Sequence, residues 1–291
     1  MQISAAMVKE LRDRTGSGMM ECKKALAESG GDIEAAVEAM RKAGLAKADK
    51  RAGRVAAEGR ILVQSDGQRA ALVEVNCETD FVARGDDFKG FAEAVARKVL
   101  ETSPVDLTVL LTLPLADGLT VEQTRQALAA KIGEKLGIRR FALLEKQTGE
   151  FGIYLHGTRI GVVAEVKAGT PELAKDIAMH VAANRPMCVL PSEVPAELVA
   201  KEREIFAVQA AETGKPPAIV ERMIEGKVQK FLSEVSLVGQ PFVRDPEITV
   251  GKVLAQQKAS VIRFVRYELG EGIEKKSADF VAEVMAQARG A

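Results

Sequence analysis

An α+β fold is predicted by three features of this chain. Residues 3 to 44 form a run of short helical segments punctuated by glycines, and a pattern of hairpin, loop, helix and strand occurs twice between residues 60 and 267. A third feature is a pair of longer helical segments over residues 195 to 236, broken at Pro216-Pro217. Antiparallel hairpins followed by helices favour segregated sheets and helices over an alternating parallel sheet.

The first block reads as three helices, Ala5 to Arg14, Met19 to Ser29 and Asp32 to Ala43. Gly16 and Gly18 break the first join, and Gly30-Gly31 break the second with Asp32 as N-cap. Gly44 is expected to stop the third helix after Arg41-Lys42, by adopting the positive φ that favours glycine. Leu11, Leu26, Ile33, Val37 and Met40 can form a small core. From Ala46 to Glu58 the chain is rich in Ala, Lys and Arg, which suggests an exposed helical linker.

Arg60 to Gln64 and Arg69 to Val75 flank Asp66-Gly67, a dipeptide suited to a tight hairpin turn. Downstream, Asp86 is expected to cap a helix carrying Phe88, Phe91, Ala92, Val95 and Val99 at helical spacing. The loop between them, Asn76-Cys77-Glu78-Thr79-Asp80-Phe81-Val82-Ala83-Arg84, holds an acid, a large apolar ring and a base. Nothing local covers the ring, which is how a chain presents an anchor to a partner. Residue type alone favours the alternative, a Phe81 folded back under the hairpin as core.

A helix Val121 to Leu136 and a strand Ile138 to Leu144 complete the first copy of the pattern. The second copy runs through strands Phe151 to Leu155 and Arg159 to Lys167, a helix Pro171 to Asn184, a helix Val250 to Lys258 and a strand Val261 to Tyr267. Gly157-Thr158 forms its turn, and His156 sits at that loop tip, where function concentrates. Inserted in this copy, Leu198, Ile205, Val208, Ile219, Met223 and Leu232 can zip the two longer helices into an antiparallel hairpin. Phe280, Val281, Val284 and Met285 give the tail, Ser277 to Ala288, the look of a docking helix.

Composition narrows the chemistry. Lys plus Arg and Asp plus Glu number 41 each, so no net field attracts a phosphate backbone or an anionic membrane. Three scattered cysteines, and a start without a basic then apolar run, point to a cytoplasmic protein with reduced thiols. The most apolar stretch, Val105 to Leu119, is interrupted by acids and Pro114 and falls short of the roughly 20 residues a membrane helix needs. Gly226-Lys227 and Gly251-Lys252 lack the rest of a phosphate loop, and Gly16-Ser17-Gly18 lacks both a third glycine and a preceding strand. Two histidines, no Cys-x-x-Cys pair and no local acid cluster leave a metal unsupported, so no cofactor is expected. His180, beside Ile177 and Val181, reads as a packed helix residue. Cys77 and His156 are the conceivable nucleophile and base, but nothing places a third, orienting residue. Met19 and Met20 cannot both face one core, so at least one is available to a partner.

Several long motifs in order then resemble the bacterial translation elongation factor Ts family over essentially the whole length. They begin with Val8-Lys9-Glu10-Leu11-Arg12, Thr15-Gly16-Ser17-Gly18-Met19-Met20, Cys22-Lys23-Lys24-Ala25-Leu26 and Gly31-Asp32-Ile33-Glu34. Glu74-Val75-Asn76-Cys77 and Thr79-Asp80-Phe81-Val82-Ala83 follow, then His156-Gly157 with Arg159-Ile160-Gly161-Val162. Gly239-Gln240-Pro241-Phe242-Val243 and Gly270-Glu271-Gly272-Ile273-Glu274-Lys275 close the series, and Arg84 stands where many relatives have Lys.

The resemblance implies a module like a ubiquitin-associated domain with its basic linker over 1–54, and core subdomains over 55–145 and over 146–194 with 237–270. It also implies a coiled-coil insertion over 195–236 and a C-terminal module over 271–291. The function implied is guanine nucleotide exchange on elongation factor Tu, GDP-bound or nucleotide-free, without catalytic residues, nucleic acid or membrane. Thr79, Asp80, Phe81 and Val82 would approach the partner's magnesium site, and Phe81 would wedge between helices of its switch region. His156 would press on the partner's far domain. Arg12, Met19, Met20 and Lys23 would grip a helix of its nucleotide-binding domain.

Overall fold

The computed structural model describes residues 3–51 and 53–274, excluding the side chains of residue 41 and of residues 44–51. The docking helix expected over 277–288 lies outside the described residues. Eleven α-helices and eight strands occur among those described, an α+β arrangement.

Three helices open the chain: α1 (Ala5–Thr15), α2 (Met19–Glu28) and α3 (Ile33–Arg51). Gly16 stops α1 in the left-handed conformation at φ 66°, its N–H donating to the Arg12 carbonyl. Asp32 caps α3 as expected, its carboxylate accepting the Ala35 N–H at 3.0 Å. Leu11, Cys22, Leu26 and Ala36 bury completely in the small core these helices share, with Ile33, Val37 and Met40 packed against it. Gly44 does not stop α3, which continues to Arg51. A helix-interior glycine costs only about 1 kcal/mol against alanine, and the Ala, Lys and Arg residues beyond Gly44 are good helix formers that carry the helix past it.

A first sheet has the order β1-β2-β3, from Glu58–Ser65, Arg69–Cys77 and Gly137–Glu145. Between β2 and β3 come α4 (Asp80–Arg84), α5 (Asp86–Thr102), α6 (Leu107–Thr112) and α7 (Val121–Ile132). The second sheet, β4-β5-β8, repeats the plan with Gly149–His156, Ile160–Lys167 and Ser260–Glu268. β4 and β5 pair antiparallel, from Gly149 opposite Lys167 to His156 opposite Ile160. The helix α8 (Pro171–Asn184) lies so close on this sheet that a Cβ at Gly152 would stand 1.8 Å from the Ala174 carbonyl oxygen, so only glycine fits. The remaining elements are α9 (Ala196–Ala211), α10 (Pro217–Val235), the short ribbon of β6 (Pro241–Phe242) and β7 (Asp245–Thr249), and α11 (Val250–Gln256).

The described residues form two compact units, one of residues 3–51, 53–62, 73–141 and 268–274, the other of 63–72 and 142–267. In each, the middle strand carries a fully buried glutamate. Glu74 of β2 accepts from Arg140 Nε at 2.6 Å, Arg139 Nη1 at 3.1 Å and the Gly270 N–H at 2.8 Å. Glu165 of β5 accepts from Arg263 Nε at 3.0 Å and from the backbone N–H groups of Gln147, Thr148 and Gly149. Burial pushes both carboxyls up, but the donors prevail and hold both below the usual range.

Three expected helix boundaries and one packing seam shift. Gly85, without a side chain to offer, occupies the N-cap of α5, and Asp86 is its first helical residue. α7 ends at Ile132, because Gly133 adopts φ 86° after it, and not at Leu136. α11 ends two residues earlier than Lys258, which takes φ 53°. In the seam of the α9–α10 hairpin Leu232 packs as expected, while Val199, Phe206, Val220 and Ile224 stand one residue on from the expected Leu198, Ile205, Ile219 and Met223. Ala210, Ile224 and Val228 bury there with Val199, Phe206, Val220 and Leu232 packed against them, while Ile205, Val208 and Ile219 face solvent. One residue is a 100° rotation on a helix, and in the observed seam the Phe206 ring packs against the cluster that holds the small, fully buried Ala210 side chain.

His180 of α8 is fully buried, as the sequence suggests for a packed histidine. Its Nδ1 accepts the Val243 N–H at 3.1 Å, so its Nε2 carries the proton donated to Gln240 Oε1 at 2.9 Å. Gln240 in turn donates to the Asn184 and Glu234 carbonyls. Burial depresses the imidazole pKa against the opposing pull of Gln240. Below the ordinary value of about 6.5 the unfolded chain therefore takes up a proton that the folded one refuses, and stability falls as pH falls through that window. The urea midpoint should decline from about pH 7 to pH 5.5, and the decline should flatten in His180→Gln; equal slopes in the two proteins would contradict this.

Candidate functional site

The stretch after β2 is a single helical turn, not the open loop expected from the sequence. Thr79 is the N-cap of α4, its hydroxyl accepting the Val82 N–H at 3.4 Å. At the other end Arg60 Nη1 donates to the Ala83 carbonyl at 3.2 Å, and the Gly85 N–H donates to the Val82 carbonyl at 3.0 Å. Ala83 faces inward and is buried. Phe81 lies two residues earlier, about 200° round the turn, so its ring must point outward. The ring is 81% exposed, which decides between the two alternatives for this residue.

The beginning of the turn is tied down from a distance. Glu134 Oε2 accepts the N–H groups of Glu78 at 3.1 Å and Thr79 at 3.0 Å, and Glu134 Oε1 accepts the Thr79 hydroxyl at 2.6 Å. The tie is reciprocal, because Glu78 Oε1 accepts the Lys135 N–H at 2.6 Å. Asp80 pairs with Arg84 at 2.8 Å on the outer face of the same turn. Cys77 is buried beneath it, its thiol donating to the Thr79 carbonyl at 3.1 Å. Burial, reinforced by the nearby charges of Glu134 and Glu58, pushes that thiol up to about 12, so it is no thiolate nucleophile.

The other sequence-derived site residues occupy two further places. Met19, Met20 and Lys23 lie three or four residues apart on α2, so Met19 and Met20 each share a face with Lys23. Both methionines are exposed, as are Lys23 and Arg12 of α1. In the other compact unit His156 ends β4 and is exposed, with Leu155 beside it. The Tyr154 ring packs against the core of the second sheet and its hydroxyl lies 3.4 Å from His156 Nδ1. The two rings stack at 6.4 Å between centroids, a contact that steadies the imidazole at the hairpin tip.

Among the described residues no cluster of three or more His, Cys, Asp or Glu could hold a metal ion. A groove of about 290 Å³ between the opening helices and α7 is lined by Val37, Met40, Leu119 and Ala127, together with Arg14 and Gln123. It contains no pairing of nucleophile and base. The distinctive surface is therefore a protruding aromatic on a fixed turn.

Sequence reading missed Glu134, having placed it inside the last turn of a helix to Leu136. Gly133 after Lys131 was the available signal, a glycine stop behind a basic last turn that frees the next residue from the helix.

A family model for elongation factor Ts matches residues 78–271. The chain is 60% identical over 291 residues to elongation factor Ts of Methylococcus capsulatus, with 99% of each chain covered. It belongs to the elongation factor Ts family. Elongation factor Ts of Thioalkalivibrio sulfidiphilus is likewise 60% identical, over all of both chains, and that of the Legionella pneumophila Philadelphia 1 strain is 57% identical over 99% of each. The family match begins at Glu78, so the turn that carries Phe81 and the clasp residue Glu134 both lie within it.

If Phe81 is a surface anchor, Phe81→Ala should change unfolding free energy by no more than about 0.5 kcal/mol. The fully buried Phe88 of α5 provides the contrast, since Phe88→Ala should cost about 3 to 5 kcal/mol. Urea unfolding of the two variants would read this difference directly.

Proposed function

We propose that this protein binds elongation factor Tu and accelerates the release of its bound GDP, allowing GTP to enter. Membership of the elongation factor Ts family supports the general reading, and the observation that carries the mechanism is the exposed Phe81 ring on its anchored turn. In this reading Thr79 to Val82 reach the partner's magnesium site, with the ring entering between helices of the switch region and Asp80 beside it. His156 presses on the partner's far domain. Arg12, Met19, Met20 and Lys23 hold a helix of its nucleotide-binding domain. The modular division at residues 54, 145 and 195–236, with a C-terminal module over 271–291, belongs to the same proposal.

The energetics require several contacts. A factor that weakens nucleotide binding must itself be bound more weakly by the same ratio when nucleotide is present. A thousandfold effect corresponds to about 4 kcal/mol of coupling. Burying one Phe side chain contributes about 1.5 to 3 kcal/mol, so Phe81 cannot supply that alone and contacts from several modules must share it. No covalent step is needed, because the work is done by differential binding of two states of the partner.

Stopped-flow release of a fluorescent GDP from purified elongation factor Tu tests the reading. Catalytic amounts of this protein should accelerate release strongly, and Phe81→Ala should lose about tenfold of that acceleration while remaining folded. Release unaffected by the wild-type protein would overturn the exchange reading, and an undiminished rate with a folded Phe81→Ala would overturn the wedge.

A further inference from the structure

We infer that Glu134 is a positioning residue for nucleotide exchange: its carboxylate holds the Thr79 cap and thereby aims the Phe81 ring. The inference rests on the exchange function proposed above. It begins from a carboxylate that joins parts of the chain more than fifty residues apart. Both Glu134 oxygens are committed to residues 78 and 79, one to two successive backbone N–H groups and the other to the Thr79 hydroxyl. Nothing about secondary structure requires this, since α7 has already ended at Ile132 and Gly133 has closed it.

The chemistry of a hydroxyl explains why the contact matters. A threonine hydroxyl has one proton and two lone pairs. By accepting that proton at 2.6 Å, Glu134 fixes the hydroxyl rotor and leaves a lone pair for the Val82 N–H, the bond that caps α4. The cap sets where the turn starts, and the start sets which way Phe81 points. A five-residue helix cannot hold its own phase, because nucleating a helical turn is unfavourable without outside support. Arg60 supports the far end through the Ala83 carbonyl, so Glu134 is the counterpart at the near end. Glutamine at 134 would keep one acceptor oxygen for the two N–H groups, but it would lose the charge that strengthens those bonds, and its NH₂ could only donate to the Thr79 hydroxyl, which frees the hydroxyl proton and loosens the rotor.

A double-variant cycle in the stopped-flow assay, backed by thermal melting, tests this. Glu134→Gln should slow stimulated GDP release about fivefold at saturating factor, with little change in the half-saturating concentration. In a Phe81→Ala background the same change should add no more than about twofold, because the residue acts through the ring. Full activity of Glu134→Gln, or effects that multiply in the double variant, would overturn the inference. Thr79→Val removes the hydroxyl link together with the cap it makes to Val82, leaves the two N–H bonds to Glu134 in place, and should show the same dependence on Phe81, which keeps the test open if Glu134→Gln melts early. Should the wild-type protein fail to release GDP at all, the exchange reading falls first. The aiming role is then judged by amide exchange of residues 78 to 82, which must quicken in Glu134→Gln and would refute the clasp if it did not.

Discussion

The orientation of one helical turn is the constraint on which the functional surface depends. An exposed Phe ring forgoes about 1.5 to 3 kcal/mol that it would gain by burial, so a free loop would let it fold back. Here the turn is fastened at both ends, by Glu134 to Glu78 and Thr79 and by Arg60 to Ala83. Ala83 buries, and the geometry of the helix leaves Phe81 no inward direction. Preorganisation of this kind lowers the ordering cost when a partner binds.

The same device recurs elsewhere in the molecule. Carboxylates gather backbone N–H groups at places where the chain must turn away from regular structure. Glu165 takes three successive ones before β4, Glu193 takes those of Val189 and Leu190, and Glu74 takes that of Gly270 where the chain leaves β8. Each tie satisfies backbone donors that would otherwise be lost to solvent at a partly buried site. Glu74 and Glu165 also sit at corresponding places in the two sheets, each on the central strand and each paired with arginine from the third strand. The internal repeat seen in the sequence thus extends to its electrostatics.

Much of the fold was legible because periodicity and glycine placement are local signals. α8 matches its expected span from Pro171 to Asn184, and the strands fall close to theirs. Failures came where a tertiary choice outweighed a local one. Gly44 does not stop α3 because its neighbours carry the helix through, and the α9–α10 seam takes the register that packs Phe206 against Ala210, Ile224 and Val228. At the site, the segment Thr79 to Val82 stood out as an uncovered aromatic beside an acid. Residue type argued for burial of Phe81, and only the inward direction of Ala83 settles its exposure. For Glu134 the local signal is only the Gly133 stop that frees it from α7, since a contact spanning residues 78 to 134 leaves no mark of its own on either segment.

The central claim is that the Phe81 turn is held rigid in the free protein. Amide hydrogen exchange resolved to single residues measures this without any partner. The amides of Glu78, Thr79 and Val82 should exchange slower than an unstructured chain by about two orders of magnitude or more, because each donates to a fixed acceptor. Exchange of these three at the rate of an unfolded peptide would contradict the account, since the ring would then have no fixed direction to present.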